Sequence, residues 1–169
     1  IHFQCRTGSP ELNCCSVNGP RGMVLLSEWV LLRSKEGAVL NYYGPSEFKT
    51  KTPGGQTLTL HQDTDYPVNG KIALRIGVPK SEKFELKLRI PSWSQKTNVE
   101  LNGSPITDVK TGSYLSLTRD WKDGDTLSMD LDMSFHYWVG ERESLGKTSI
   151  YRGPILLAAK NRITAAVAR

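Results

Sequence analysis

Apolar and polar residues alternate with a period of two over most of this chain. The clearest case is Phe84-Glu85-Leu86-Lys87-Leu88-Arg89-Ile90, where apolar residues take one face and charges the other. Lys71-Ile72-Ala73-Leu74-Arg75-Ile76-Gly77-Val78 and Thr57-Leu58-Thr59-Leu60-His61 alternate in the same way, as do Leu127, Met129, Leu131 and Met133 with Ser128, Asp130 and Asp132. Such a pattern belongs to strands with one buried and one solvated face. Val39–Tyr43, Tyr114–Thr118, the aromatic run Phe135-His136-Tyr137-Trp138, Ser149–Arg152 and Ile155–Leu157 read as further strands. Gly44-Pro45-Ser46 reads as a break, Asn102-Gly103 as a hairpin turn after Val99 and Leu101, and Asp123-Gly124-Asp125 as another turn. About eight or nine strands spaced by turn signals predict a mainly β fold, an antiparallel β-sandwich. A barrel suits the charged faces less well than two sheets with solvated exteriors.

The first part of the chain departs from this period. Met23-Val24-Leu25-Leu26-Ser27-Glu28-Trp29-Val30-Leu31-Leu32 is apolar on almost every side and reads as a helix meant for burial, with Trp29 in its packing. Asn18 is its expected N-cap, Gly19-Pro20 its first turn, and Lys35-Glu36-Gly37 its end. A cysteine-containing loop, from Ile1 to about Val17, precedes it. The expected division is therefore 1–35 for loop and helix and 36–169 for the β-sandwich.

Composition narrows the classes. With 169 residues, 38% hydrophobic, the chain is long enough for one domain and needs no disulfide framework. Four Trp, six Tyr and four Phe within regular patterns argue against disorder. No apolar run approaches the ~20 residues of a membrane-spanning helix. The net charge of +5 comes from 22 Lys and Arg mixed with 17 Asp and Glu. No basic run marks a nucleic-acid footprint, so neither a membrane nor a nucleic acid is an expected partner.

Chemistry concentrates in the three cysteines, Cys5 and the adjacent Cys14-Cys15. Three readings compete. One is incidental thiols or a disulfide from Cys5 to one of the pair; a bridge within the pair would be strained, since adjacent Cα atoms sit ~3.8 Å apart. Another is a metal site, with His2, Cys5 and Glu11 as nearby donors to complete a zinc shell. The third is a reactive thiolate ahead of the helix N-terminus, where the dipole lowers a thiol pKa. The remaining candidates have plainer readings. His61 reads as a surface or turn residue and His136 as packed, and Trp93 and Trp121 read as cover for the sandwich core before sugar platforms.

The string Cys14-Cys15-Ser16-Val17-Asn18-Gly19-Pro20-Arg21 resembles the double-cysteine motif of glycoside hydrolase family 127, the retaining β-L-arabinofuranosidases and their relatives. The resemblance continues in family order through Tyr43-Gly44-Pro45-Ser46, Asp65-Tyr66-Pro67, Leu88-Arg89-Ile90-Pro91-Ser92-Trp93 and Leu101-Asn102-Gly103. It extends through Arg119-Asp120-Trp121-Lys122-Asp123-Gly124-Asp125 to Tyr151-Arg152-Gly153-Pro154.

This resemblance implies an (α/α)6 barrel that carries the active site, followed by β-sandwich domains. It implies that Cys14 is the nucleophile and a zinc ligand, and that Cys15 is a zinc ligand only. The family's other ligands, a glutamate and a third cysteine, and its acid/base glutamate lie well upstream of the double cysteine. Cys5 and Glu11 do not sit where the pattern places a ligand or proton donor, and Ser16-Val17 stands where relatives often carry prolines.

The chain is therefore expected to be the C-terminal part of such a glycosidase, inactive alone, with zinc as cofactor of the parent. Its expected partners are the upstream catalytic domain, a carbohydrate substrate and, through the helix 23–32, a second copy of itself. The alternative is a non-catalytic carbohydrate-binding or scaffolding sandwich.

Overall fold

Inward-facing leucines and isoleucines at every second position build two facing sheets in the computed structural model, which describes residues 14–158. One helix, α1 (Cys14–Trp29), comes first. Strands β1 (Leu31–Arg33), β2 (Gly37–Leu40), β6 (Glu82–Arg89) and β9 (Tyr114–Trp121) form a four-stranded sheet in the order β1-β2-β6-β9. Strands β3 (Ser46–Lys51), β4 (Thr57–Thr64), β5 (Lys71–Gly77), β7 (Asn98–Leu101), β8 (Ser104–Pro105) and β10 (Thr126–Asp130) form a six-stranded sheet in the order β3-β4-β5-β10-β7-β8. A separate three-stranded sheet, β11 (Phe135–Val139), β12 (Thr148–Arg152) and β13 (Ile155–Leu156), follows.

The core lies between the two larger sheets. Leu40, Phe84, Leu86 and Leu88 meet Leu58, Leu60, Ile72, Leu74, Ile76, Val99, Leu127 and Met129 across the interior. Trp121 is fully buried, and its indole N–H donates to the Phe84 carbonyl at 3.1 Å, so its one polar atom is satisfied. The alternation read in β4, β5, β6 and β10 is the burial pattern observed.

Several expectations are corrected. The sandwich is not wholly antiparallel, because β2 and β6 pair in parallel, with Gly37 opposite Glu85 and Leu40 opposite Leu88. A Cβ on Gly37 would collide with the Glu85 carbonyl oxygen, so glycine permits this approach. Ser46 opens β3 where a break was expected; its alternation is hidden because Phe48 is its only large apolar residue and it lies at a sheet edge.

The helix differs at both ends. It passes through Asn18, so Asn18 is no N-cap, and Pro20 lies inside it. Proline there removes one backbone donor and crowds the carbonyl four residues earlier, a cost of roughly 3 kcal/mol that the flanking turns must offset. The helix stops at Trp29, because Leu31, Leu32 and Arg33 pair with Leu40, Val39 and Ala38. A continuous apolar run does not by itself separate helix from strand.

Candidate functional site

Cys14 and Cys15 occupy consecutive positions on α1, not a loop ahead of it. The expectation that they precede an N-cap at Asn18 is thereby corrected. His2, Cys5 and Glu11 lie outside the described residues.

Two thiolates suit zinc as donor types, but a closed tetrahedral shell needs four. Among the described residues no group of three or more His, Cys, Asp or Glu side chains could hold a metal ion.

The rest of α1 bears on how that pair is presented. Met23 is 73% exposed and Trp29 49%, with Val24 and Leu26 also open to solvent. Trp29 is thus not packed, contrary to the reading of its sequence. Among the described residues, then, α1 presents an apolar face to solvent.

Among the described residues the helix is anchored at its C-terminal end. The Val30 N–H donates to the Leu26 carbonyl at 3.0 Å, the Asn41 N–H to the Val30 carbonyl at 2.8 Å, and Val30 itself is buried. Asn41 links this junction to the four-stranded sheet, since its Oδ1 accepts from the Tyr114 hydroxyl at 2.6 Å. Beside it the Tyr43 hydroxyl donates to the Arg89 carbonyl at 2.6 Å, and the Tyr43 and Tyr66 rings meet edge to face. Burial pushes the Tyr43 phenol far above its ordinary value, despite the opposing charge of Arg89, so it serves as a donor at any physiological pH.

Two further shifted groups are structural. Asp125 is held below its ordinary value although burial opposes this; the Lys122 N–H at 2.9 Å, the Asn102 amide at 2.8 Å and Arg119 at 3.9 Å outweigh it. Glu82 is lowered chiefly by the Thr52 hydroxyl, at 2.7 Å, with help from the Gly54 N–H and the Gln56 amide. Both hold turns in place.

His61 is exposed on β4, 3.9 Å from Glu47, which fits its plain reading as a surface residue. Trp121 is core and Trp93 packs partly against it. His136 is half-buried, stacked on Tyr151 at 5.3 Å between ring centroids. The sequence reading missed that this pair, Trp93 and Trp138 share one cleft. The available signal was the period of two along β11, which puts His136 and Trp138 on one face. No described helix is long and apolar enough to cross a membrane.

Comparison with known proteins places these features. The family model described as "Beta-L-arabinofuranosidase, GH127 middle domain" matches residues 37–133. Among solved structures, the chain is similar to a GH127 β-L-arabinofuranosidase from Geobacillus stearothermophilus T6, at 27% identity and a TM-score of 0.76, covering 85% of this chain and 23% of that one. A protein described as a glycoside hydrolase matches at 27% identity and a TM-score of 0.78, covering 92% of this chain and 27% of that one. A GH127 β-arabinofuranosidase matches at 29% identity and a TM-score of 0.75, covering 85% of this chain and 25% of that one. The chain therefore spans about a quarter of the length of these structures. No curated protein is a significant match.

Proposed function

This chain belongs to the GH127 β-L-arabinofuranosidase family, whose middle domain it carries, and from that premise we propose that it supplies part of the active site of a retaining glycosidase acting on L-arabinofuranosides or related plant sugars. In this reading the segment through α1 completes a helical catalytic barrel; the boundary expected at residue 35 moves to the end of α1, because β1 already pairs with β2 in the sandwich that follows. The observation that carries the reading is the placement of Cys14-Cys15 on a helix whose apolar side chains face solvent and which, among the described residues, is anchored on the sandwich.

Cys14 is the proposed nucleophile. Its thiolate forms a C–S bond to the anomeric carbon as the glycosidic C–O bond breaks, and the leaving oxygen takes a proton from an acid upstream of this chain. Water then displaces the Cys14 sulfur, and two inversions give retention. A thiolate thus replaces the carboxylate nucleophile of most retaining enzymes. In the complete protein zinc would hold the Cys14 and Cys15 thiols deprotonated at neutral pH. The family pattern puts a glutamate and a third cysteine of the zinc shell, and the acid/base glutamate, well upstream of the double cysteine, so the chain alone is proposed to bind zinc weakly and to be inactive.

Zinc analysis with differential alkylation tests this. The isolated chain is expected to carry well under one equivalent of zinc after dialysis, with Cys14 and Cys15 both open to iodoacetamide. A full equivalent that resists dialysis and protects both thiols would mean that the chain completes a zinc site unaided.

A further inference from the structure

A cleft of about 570 Å3 opens between the loop after β6 and one face of the three-stranded sheet. Ser92, Trp93, Gln95, His136, Trp138 and Tyr151 line it, with the Gly153-Pro154 turn at its end. Its volume lies within the usual range of small-molecule sites. Two parts of the wall are ordered in advance. His136 and Tyr151 are stacked nearly parallel, 12° apart. Trp93 packs against the core, and its ring passes close to Gly153, at φ +53°, where a Cβ would come 3.5 Å from the ring and closer still to the Met133 thioether. Trp138 is different: it is 70% exposed at the cleft mouth. A tryptophan left this open beside an ordered aromatic wall marks a contact surface.

The chemistry of the lining selects an occupant. Among the described residues its lining contains no carboxylate, lysine or arginine, which suits an uncharged ligand. Aromatic faces carry partial negative charge and attract the C–H face of a ring. The Gln95 amide, the Ser92 and Tyr151 hydroxyls and the His136 imidazole offer both donors and acceptors for hydroxyl groups around that ring. We propose that this cleft is a carbohydrate subsite, separate from the cysteine helix, which takes one neutral sugar ring of a plant oligosaccharide against Trp138. It holds substrate glycan without taking part in bond cleavage. The choice of an arabinose-containing probe rests on the glycosidase reading; the preference for a neutral sugar ring rests on the cleft alone.

Arabinotriose and cellotriose, titrated into the full chain while the indole N–H resonances are followed by NMR, test this. Binding of at least one is expected to shift Trp93 and Trp138 and leave Trp29 and Trp121 unmoved. Trp138→Ala, at an exposed position outside the core, is expected to weaken that binding about tenfold or more, by loss of the stack. Trp29→Ala and Cys14→Ser are expected to bind as the unmodified chain does. The Cys14→Ser control separates the two proposals, since it removes the proposed nucleophile and leaves the cleft intact. Three results would overturn the subsite: no shift with either sugar well above millimolar concentration, equal shifts at Trp29, or unchanged binding by Trp138→Ala. Shifts of Trp138 that follow protein concentration instead of sugar would identify a second copy as the occupant.

Discussion

Asn102 joins two turns that stand apart in the sequence. Its Nδ2 donates to Asp125 Oδ1 at 2.8 Å and its Oδ1 accepts from the Thr126 N–H at 2.8 Å, while its own backbone sits at φ +51°. Alanine there would lose both bonds and keep the strained backbone. Asn102→Ala is expected to cost about 1–3 kcal/mol in urea unfolding. Asp125 sets a pH dependence. Its folded pKa lies below the ordinary 3.8, so its contribution is present above the unfolded value and disappears as pH falls through the folded one. Glu82, lowered from 4.5, acts with the same sign. Stability is therefore expected to be flat near neutrality and to fall on acidification below about pH 4. Asp125→Asn should make that fall shallower, as read by unfolding midpoints across pH. Equal slopes for the two proteins would remove Asp125 from the account.

Among the elements, β6 was the most legible because its two faces keep a strict period of two. Phe84, Leu86 and Leu88 are buried and Glu85, Lys87 and Arg89 are not. Leu86→Ala is expected to cost about 2–5 kcal/mol, the range for a truncated core leucine. The parallel pairing of β2 with β6 was invisible, since a residue pattern records faces and not partners. Gly37 is where that pairing can be tested: Gly37→Ala is expected to cost about 1–3 kcal/mol, because the Glu85 backbone must retreat. An unchanged urea midpoint would contradict the close approach. The end of α1 and the start of β3 were missed for a shared reason. Val30-Leu31-Leu32 is apolar throughout and Ser46–Lys51 is mostly polar, so neither shows a period to read. The double cysteine was visible as a motif, whereas its place on a helix depended on tertiary context.

At the scale of the molecule, a well-packed sandwich carries an apolar helix at one end and an aromatic three-stranded sheet beyond the family domain. Met23, Val24, Leu26 and Trp29 are proposed to face the helical catalytic domain of the complete protein. Without that domain they are expected to drive self-association. Met23→Lys with Val24→Lys should return the chain to a monomer in sedimentation with its unfolding midpoint unchanged; continued association would place the contact elsewhere. The central claim is that this chain holds the nucleophile of a glycosidase and not the whole of its machinery. Turnover of 4-nitrophenyl β-L-arabinofuranoside tests it most directly, measured with zinc present for the chain alone and for the chain joined to the unmatched remainder of the Geobacillus stearothermophilus relative. The account predicts no hydrolysis above background by the chain alone, and hydrolysis by the joined protein that Cys14→Ser abolishes. Turnover by the chain alone, or by the joined protein carrying Cys14→Ser, would contradict it.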